Sequence, residues 1–351
     1  MDVPVIGTDS DAYAKPRAWQ VSTSYRWQKS HRHFVGSEEQ VDRAADSSEV
    51  VNRIHLLDVS VRYNLSLRTS VSLGVPIILA SRSSPIRDQT RAVIDRSVVQ
   101  ARGLSDITLS ARRWMLAPNK QPRGNFTLGL GLKLPTGDPD HEDVRKQFTN
   151  GTITTSVAPV DQSIQPGDGG FGFNVEGFGF LKLGRFVTYG SGSYLFNPRE
   201  TNNTDRGGGN PITARLSVAD QYLARVGLAT TFKMKGGSLT SSVGGRLEGV
   251  PADDIIGGSR GFRRPGYAVS IEPGLTYLRG RSGFSLGVPV AVYRNRTRSY
   301  ADTASGDGSA SSSTMANSPT VAAGSRERMP LRKRREAAGT RTQGMDGRAQ
   351  E

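Results

Sequence analysis

Cysteine is absent from the 351 residues, which removes disulfides, thiolate metal sites and cysteine nucleophiles together. Long apolar runs are missing as well. No stretch approaches the roughly 18 unbroken apolar residues that a transmembrane helix needs, so a helical membrane protein is excluded. The first residues, MDVPVIGTDSDAYAKP, carry neither a basic n-region nor an apolar h-region, so an exported chain would need a leader upstream of this start or one already removed. Catalytic signatures are lacking too: there is no Gly-x-Ser-x-Gly elbow, no HExxH and no P-loop. The four histidines, His31, His33, His55 and His141, have no evident serine partner. Asp58 follows His55 by three, which in a strand puts the two on opposite faces. No enzyme and no cofactor are expected.

What is present is glycine and alternation. The 41 glycines are too many for a helical protein, and no collagen period organises them. In GNFTLGLGLKLPTGD (124–138), Phe126, Leu128, Leu130, Leu132 and Leu134 alternate with Asn125, Thr127, Gly129, Gly131 and Lys133. A period of two in an extended chain puts the apolar set on one face and the small or polar set on the other. The same scheme runs through 17–27, 56–65, 69–78, 106–116, 222–233, 239–249, 267–277 and 284–292. Residues 171–183 and 186–196 are aromatic and glycine-rich strands whose faces are hard to separate. Arg113 interrupts the apolar face of its strand. About eleven strands of roughly ten residues result, the length that spans a bilayer when tilted.

The connections alternate long and short. The long ones are approximately 28–53, 79–105, 135–169, 197–220 and 250–265, and the short ones lie near 66–68, 117–123, 184–185, 234–238 and 279–283. Antiparallel neighbours joined in this way are the signature of a transmembrane β-barrel, whereas a sandwich spreads its turns over both ends. The second face is mostly Gly, Ser, Thr and Asn with sparse charge, which suits a crowded wet lumen better than a solvated surface. Trp19, Trp27, Tyr63, Tyr267 and Tyr277 fall at strand ends, where interfacial aromatics belong.

The expected fold is therefore an all-β, antiparallel transmembrane β-barrel over 17–298, about twelve strands with eleven visible. Residues 1–16 form a segment on the short-turn, periplasmic side. Residues 299–351 are an apolar-poor tail, expected to be disordered. An even-stranded barrel needs one more strand than the sequence provides, so a reading frame disrupted near residue 298, or a degraded copy, is expected. The basic run LRKRRE in the tail has no folded reader beside it, so no nucleic-acid partner is expected.

Several stretches resemble the outer-membrane proteins grouped under the meta-pathway of phenol degradation. They are GLSDITLSARRWML (103–116), GLGLKLPTGD (129–138), IQPGDGG (164–170), GSGSYLFNP (190–198), SVADQYLARVG (217–227) and RRPGYAVSIEPGLTY (263–277). The resemblance implies an outer-membrane β-barrel of a Gram-negative bacterium, a family described as transporters of aromatic or other hydrophobic compounds. It brings no functional residues with it. The chain departs from the family at both ends, without the leader and the closing strand.

Asp58, Arg62, Arg112, Lys133, Glu176, Arg225, Arg246, Glu248 and Glu272 all fall on the inferred lumen face. Arg225, Arg246, Glu248 and Glu272 lie on three consecutive strands and can form a ladder of ion pairs. Such a ladder serves either as a selectivity element for a passing solute or as a structural network that fills a narrow barrel. His31 and His33 near Glu38 and Glu39 read as a solvated loop, and Asp138, Asp140, His141, Glu142 and Asp143 lack EF-hand spacing, so no metal site is expected. The expected partners are outer-membrane lipid and lipopolysaccharide, with a small hydrophobic or aromatic solute. The alternative is a closed structural or adhesive barrel whose lumen is plugged.

Overall fold

The computed structural model describes residues 16–206, 211–280, 282–304 and 313–314. Eleven wall strands follow one another as an antiparallel meander. They are β1 (Trp19–Ser30), β2 (Val51–Asn64), β3 (Thr69–Arg87), β4 (Val93–Leu104 and Thr108–Trp114), β5 (Gly124–Lys133), β6 (Gly172–Leu183), β7 (Phe186–Phe196), β8 (Gln221–Met234), β9 (Gly237–Val250), β10 (Gly266–Arg279) and β11 (Ser282–Gly287 and Val290–Arg296). These are the eleven strands expected from the alternation. The breaks in β4 and β11 have local causes. β3 pairs with both halves of β4 on either side of Ser105–Ile107, and β11 is interrupted at Pro289, which has no N–H to give to a ladder.

Short turns are made by glycine where the chain must turn left-handed. Gly184 (φ +62°) joins β6 to β7 in a two-residue loop, and Gly236 (φ +85°) does the same between β8 and β9. Positive φ matches the twist of tight hairpins and is cheap only for glycine.

The long connections differ from the expected loops. Residues 79–105 are largely strand, because β3 and β4 continue upward as a hairpin. Residues 135–169 hold a hairpin of Glu142–Thr149 with Thr152–Pro159, and 197–220 hold another of Thr201–Asp205 with Arg215–Ser217. The first puts Val144, Phe148, Ile153 and Val157 on one face but buries neither face, and the second is too short to show a period, so no alternation marks them. The sheet curls so that Arg26 of β1 lies within electrostatic reach of Arg225, Arg246 and Glu248 on β8 and β9. At the long-loop end the two ends of the wall meet, where the Arg296 N–H donates to the Gly36 carbonyl at 2.8 Å. No strand among the described residues stands between β1 and β11. Beyond a helical turn at Tyr300–Ala304 and the pairing of Ser313–Thr314 with His33–Phe34, the tail lies outside the described residues. So do residues 1–15.

Candidate functional site

The two faces of the wall divide cleanly. Outward, large apolar side chains stand in the open on strand after strand: Val21, Leu73, Leu128, Leu130 at 67% exposed, Val226 at 64%, Val243, Ile271 and Phe284 at 68%. Inward, Ser60, Asn125, Thr127, Thr240 and Ser270 are buried. The aromatic strands 171–196 sort themselves by register. Val175 and Leu181 point out, while Phe178 and Phe180 point in and meet Trp114 edge-on, with centroids 6.2 and 6.0 Å away.

All nine charged residues singled out in the sequence lie on the inner face, in register with its small polar neighbours. Arg112 and Glu176 form a two-pronged pair across β5, with Nη2 to Oε2 at 2.9 Å. Gly129 lies between them in the register, and a Cβ there would sit 2.7 Å from Glu176 Cγ. Glycine in the GLGLK run thus leaves room for the pair to close. Glu272 takes Arg225 at 3.2 Å and Arg246 at 3.8 Å, and Arg246 also holds Glu248. These four charges form a ladder over β8, β9 and β10. Asp58 and Arg62 sit on β2 at the same inner face, two rungs from each other.

Lys133 marks a different construction. It pairs with Asp168 and stands 3.8 Å from Asp106. Those two aspartates come from GLSD and PGDGG, two of the stretches that carry the family resemblance. Asp106 Oδ1 accepts the Gly137 N–H at 3.0 Å, and Thr136 Oγ1 accepts the Ile107 N–H at 2.8 Å. Gly137 and Gly167 cross so closely that a Cβ on either would lie within 2.8 Å of the other's backbone. The motifs are therefore a clamp that ties the loop 134–171 to the break in β4.

From this clamp the segment Val160–Pro166 folds against the inner face. Ile164, fully buried, and Val160 pack on Ile78, Ala80, Val99 and Ala101 of β3 and β4. Asp161 accepts both prongs of Arg264 at 2.5 and 2.6 Å, and Arg82 reaches it at 3.4 Å. Burial pushes the Asp161 carboxyl up, but Arg264 and Arg82 more than reverse that and hold it well below the usual carboxylate range. Ser163 Oγ accepts from Asn52 at 3.2 Å. Ile164 and Arg264 fall in stretches that carry the family resemblance, but the contact is not legible in the sequence, because Asp161 and Arg264 are 103 positions apart and no periodic pattern links them.

The loop histidines and acids are used structurally. His33 Nε2 accepts the Val50 N–H at 2.8 Å, and Glu39 holds Arg32. His141 sits 3.1 Å from Asp138, and Asp143 accepts the Gln100 N–H at 2.7 Å. Among the described residues no three His, Cys, Asp or Glu side chains converge as a metal set.

No family model matches the chain, and no curated protein matches it. Among solved structures it is similar to an outer-membrane channel from Pseudomonas putida F1. The identity is 14%, over 82% of this chain and 94% of that one, with a TM-score of 0.45. At that level of identity and superposition, the reading of the two faces rests on the chain's own side chains.

Proposed function

We propose that this protein spans a bacterial outer membrane as a β-barrel and admits small hydrophobic or aromatic solutes. The observation that carries the reading is the outward apolar belt, whose exposed large side chains recur on every wall strand but β2, where Leu57, Val59 and Val61 are half-buried. A monomer in water rarely leaves so much contiguous apolar surface bare. Its height fits lipid. Tyr267 and Tyr277 bracket β10, a rise of about 34 Å along the strand and about 25 Å across a bilayer at the usual tilt. An aromatic row at the upper level supports this, with Phe173 stacked on Phe196 at 4.8 Å and Tyr194 beside Tyr222. At the lower level Trp19 rests on Tyr63 at 4.6 Å.

The solute class draws support from the inner face. Trp114, Phe178 and Phe180 form an aromatic cluster on the inner face at the short-turn end, next to the Arg112–Glu176 pair. The stretches that resemble the meta-pathway outer-membrane proteins point the same way. Outer-membrane lipid contacts the belt in this reading, and lipopolysaccharide surrounds the long-loop side. The competing closed, structural barrel is favoured by how thoroughly the inner charges are paired, Glu176 being only 8% exposed.

Refolding the full chain in detergent and recording from planar bilayers separates the two. Discrete channel events, together with uptake of an aromatic solute into liposomes, are the expected result. A protein that inserts but never conducts or admits solute would leave the structural barrel. A monomer that is compact in plain buffer without detergent would remove both.

A further inference from the structure

The long-loop mouth gathers more positive charge than it neutralises. Arg82 from β3, Arg206 from the 197–220 loop, Arg264 from the loop before β10 and Arg296 at the end of β11 lie within electrostatic reach of Arg264 or of one another. Among the described residues, two carboxylates act on these four guanidiniums. Asp161 is shared by Arg264 and Arg82. Asp302 acts on Arg296 but is itself taken by the Ser299 N–H at 2.8 Å and hydroxyl at 2.7 Å. Arg206 and Arg264 both lie against the ring of Phe262, their Cζ atoms 3.4 and 4.7 Å from its centroid. Arg296 spends its two terminal nitrogens on the carbonyls of Pro265 and Arg263. The Nε of Arg264 and the Nε of Arg296 are buried and have no hydrogen-bond partner among the described residues.

Buried guanidiniums held together without matching anions are costly, because each loses water and repels its neighbours. An oxyanion repairs both defects, since carboxylate and phosphate oxygens accept paired N–H bonds from guanidinium forks. We propose that this arginine cluster is a recognition site for a small oxyanion, a carboxylate or phosphate, at the long-loop mouth. Phe262 makes the site selective. An aromatic acid can lay its ring beside the phenyl group while its carboxylate meets the arginines. The inference deepens the transport reading, because it names anionic aromatics as the solutes that the mouth would collect, and a lipopolysaccharide phosphate is the other source of the same chemistry.

The test titrates the detergent-refolded full chain with benzoate, benzyl alcohol and inorganic phosphate by calorimetry, with circular dichroism as the check on folding. Benzoate and phosphate should bind and benzyl alcohol should not, and added salt should weaken both anions. Arg206→Gln removes a side chain that, among the described residues, lies on Phe262 and bonds the Thr213 carbonyl, and it should weaken benzoate about tenfold, the loss of one charge-assisted hydrogen bond. Arg206→Lys should restore part of it, and Arg215→Gln, which bonds Asn203 instead, should bind as the wild type does. If lipopolysaccharide in the outer leaflet of proteoliposomes displaces benzoate, the site stands and its resident is the lipid phosphate. Absence of anion binding, or binding unchanged in Arg206→Gln, overturns the site. Conductance decides separately: binding without channel events keeps the site and removes transport, and channel events without binding do the reverse.

Discussion

His33 shows how one side chain in a connecting loop makes the mouth sensitive to acid. Its Nε2 must carry a lone pair, because the Val50 N–H points at it from 2.8 Å. Burial first, and then the charge of Arg43, push the ring's pKa down from 6.5 to about 4. An unfolded His33 takes up its proton below about 6.5, whereas the folded one resists until about 4. The unfolded state therefore binds more protons in that window. The stability contributed by neutral His33 is complete above pH 6.5 and falls as pH drops toward 4, by roughly 3 kcal/mol. Protonation also removes the acceptor for Val50. Hydrogen exchange at the Val50 amide, corrected for its intrinsic rate, should speed up by about a hundredfold from pH 7 to pH 4. His33→Gln should abolish that dependence. A Val50 amide equally protected at both pH values in the wild type would contradict the assignment. Asp161 behaves differently. Its depressed pKa keeps its ion pairs intact through the whole of this window, with loss only below the ordinary carboxylate range.

At the scale of the strand, the outward face is the quantity to test. Leu130 stands near the middle of β5 with two-thirds of its surface open. On a protein in water, a charge at such a position would be close to neutral in effect. In a bilayer, Leu130→Arg should cost about 2–4 kcal/mol, as a lipid-facing arginine near the midplane does. The inward neighbour Gly131 is a different matter, because a Cβ there would already meet the Leu109 carbonyl at 3.2 Å. Reversible unfolding of wild type and Leu130→Arg in liposomes reads the difference, and equal stabilities would argue against lipid on that face. The strands themselves are legible because one buried face imposes a period of two, and that period gives the face of each inner charge except Glu176, which lies in an aromatic, glycine-rich strand. Where both faces carry aromatics or small residues, as in 171–196, the period does not reveal which is inside. Phe178 and Phe180 were settled only by register with Trp114. The upper hairpins were illegible for a related reason: EDVRKQFT and TITTSVAP have no buried face to alternate. The Asp161–Arg264 contact joins two loops through space, which no local pattern encodes.

For the whole molecule, the decisive element is the segment Val160–Pro166 seated on the inner face. It is held in three ways: Ile164 sits in an apolar seat, Asp161 is gripped by two arginines, and the Gly137–Gly167 crossing fixes the loop's root. In the transport reading proposed above, a segment lodged there would stand in the solute's path, so its position would set how freely a solute moves. Ile164→Asp places a carboxylate against Ile78, Ala80, Val99 and Ala101. Removing the apolar burial and adding an unpaired charge should cost about 3–5 kcal/mol, enough to release the segment while the wall keeps its strands. Hydrogen exchange should then show the segment unprotected while circular dichroism stays unchanged. The unit conductance in planar bilayers should rise severalfold. The root of the loop should stay clamped, because the Lys133 pairs with Asp168 and Asp106 do not involve Ile164. If the segment is released and conductance does not change, the narrowest point lies elsewhere.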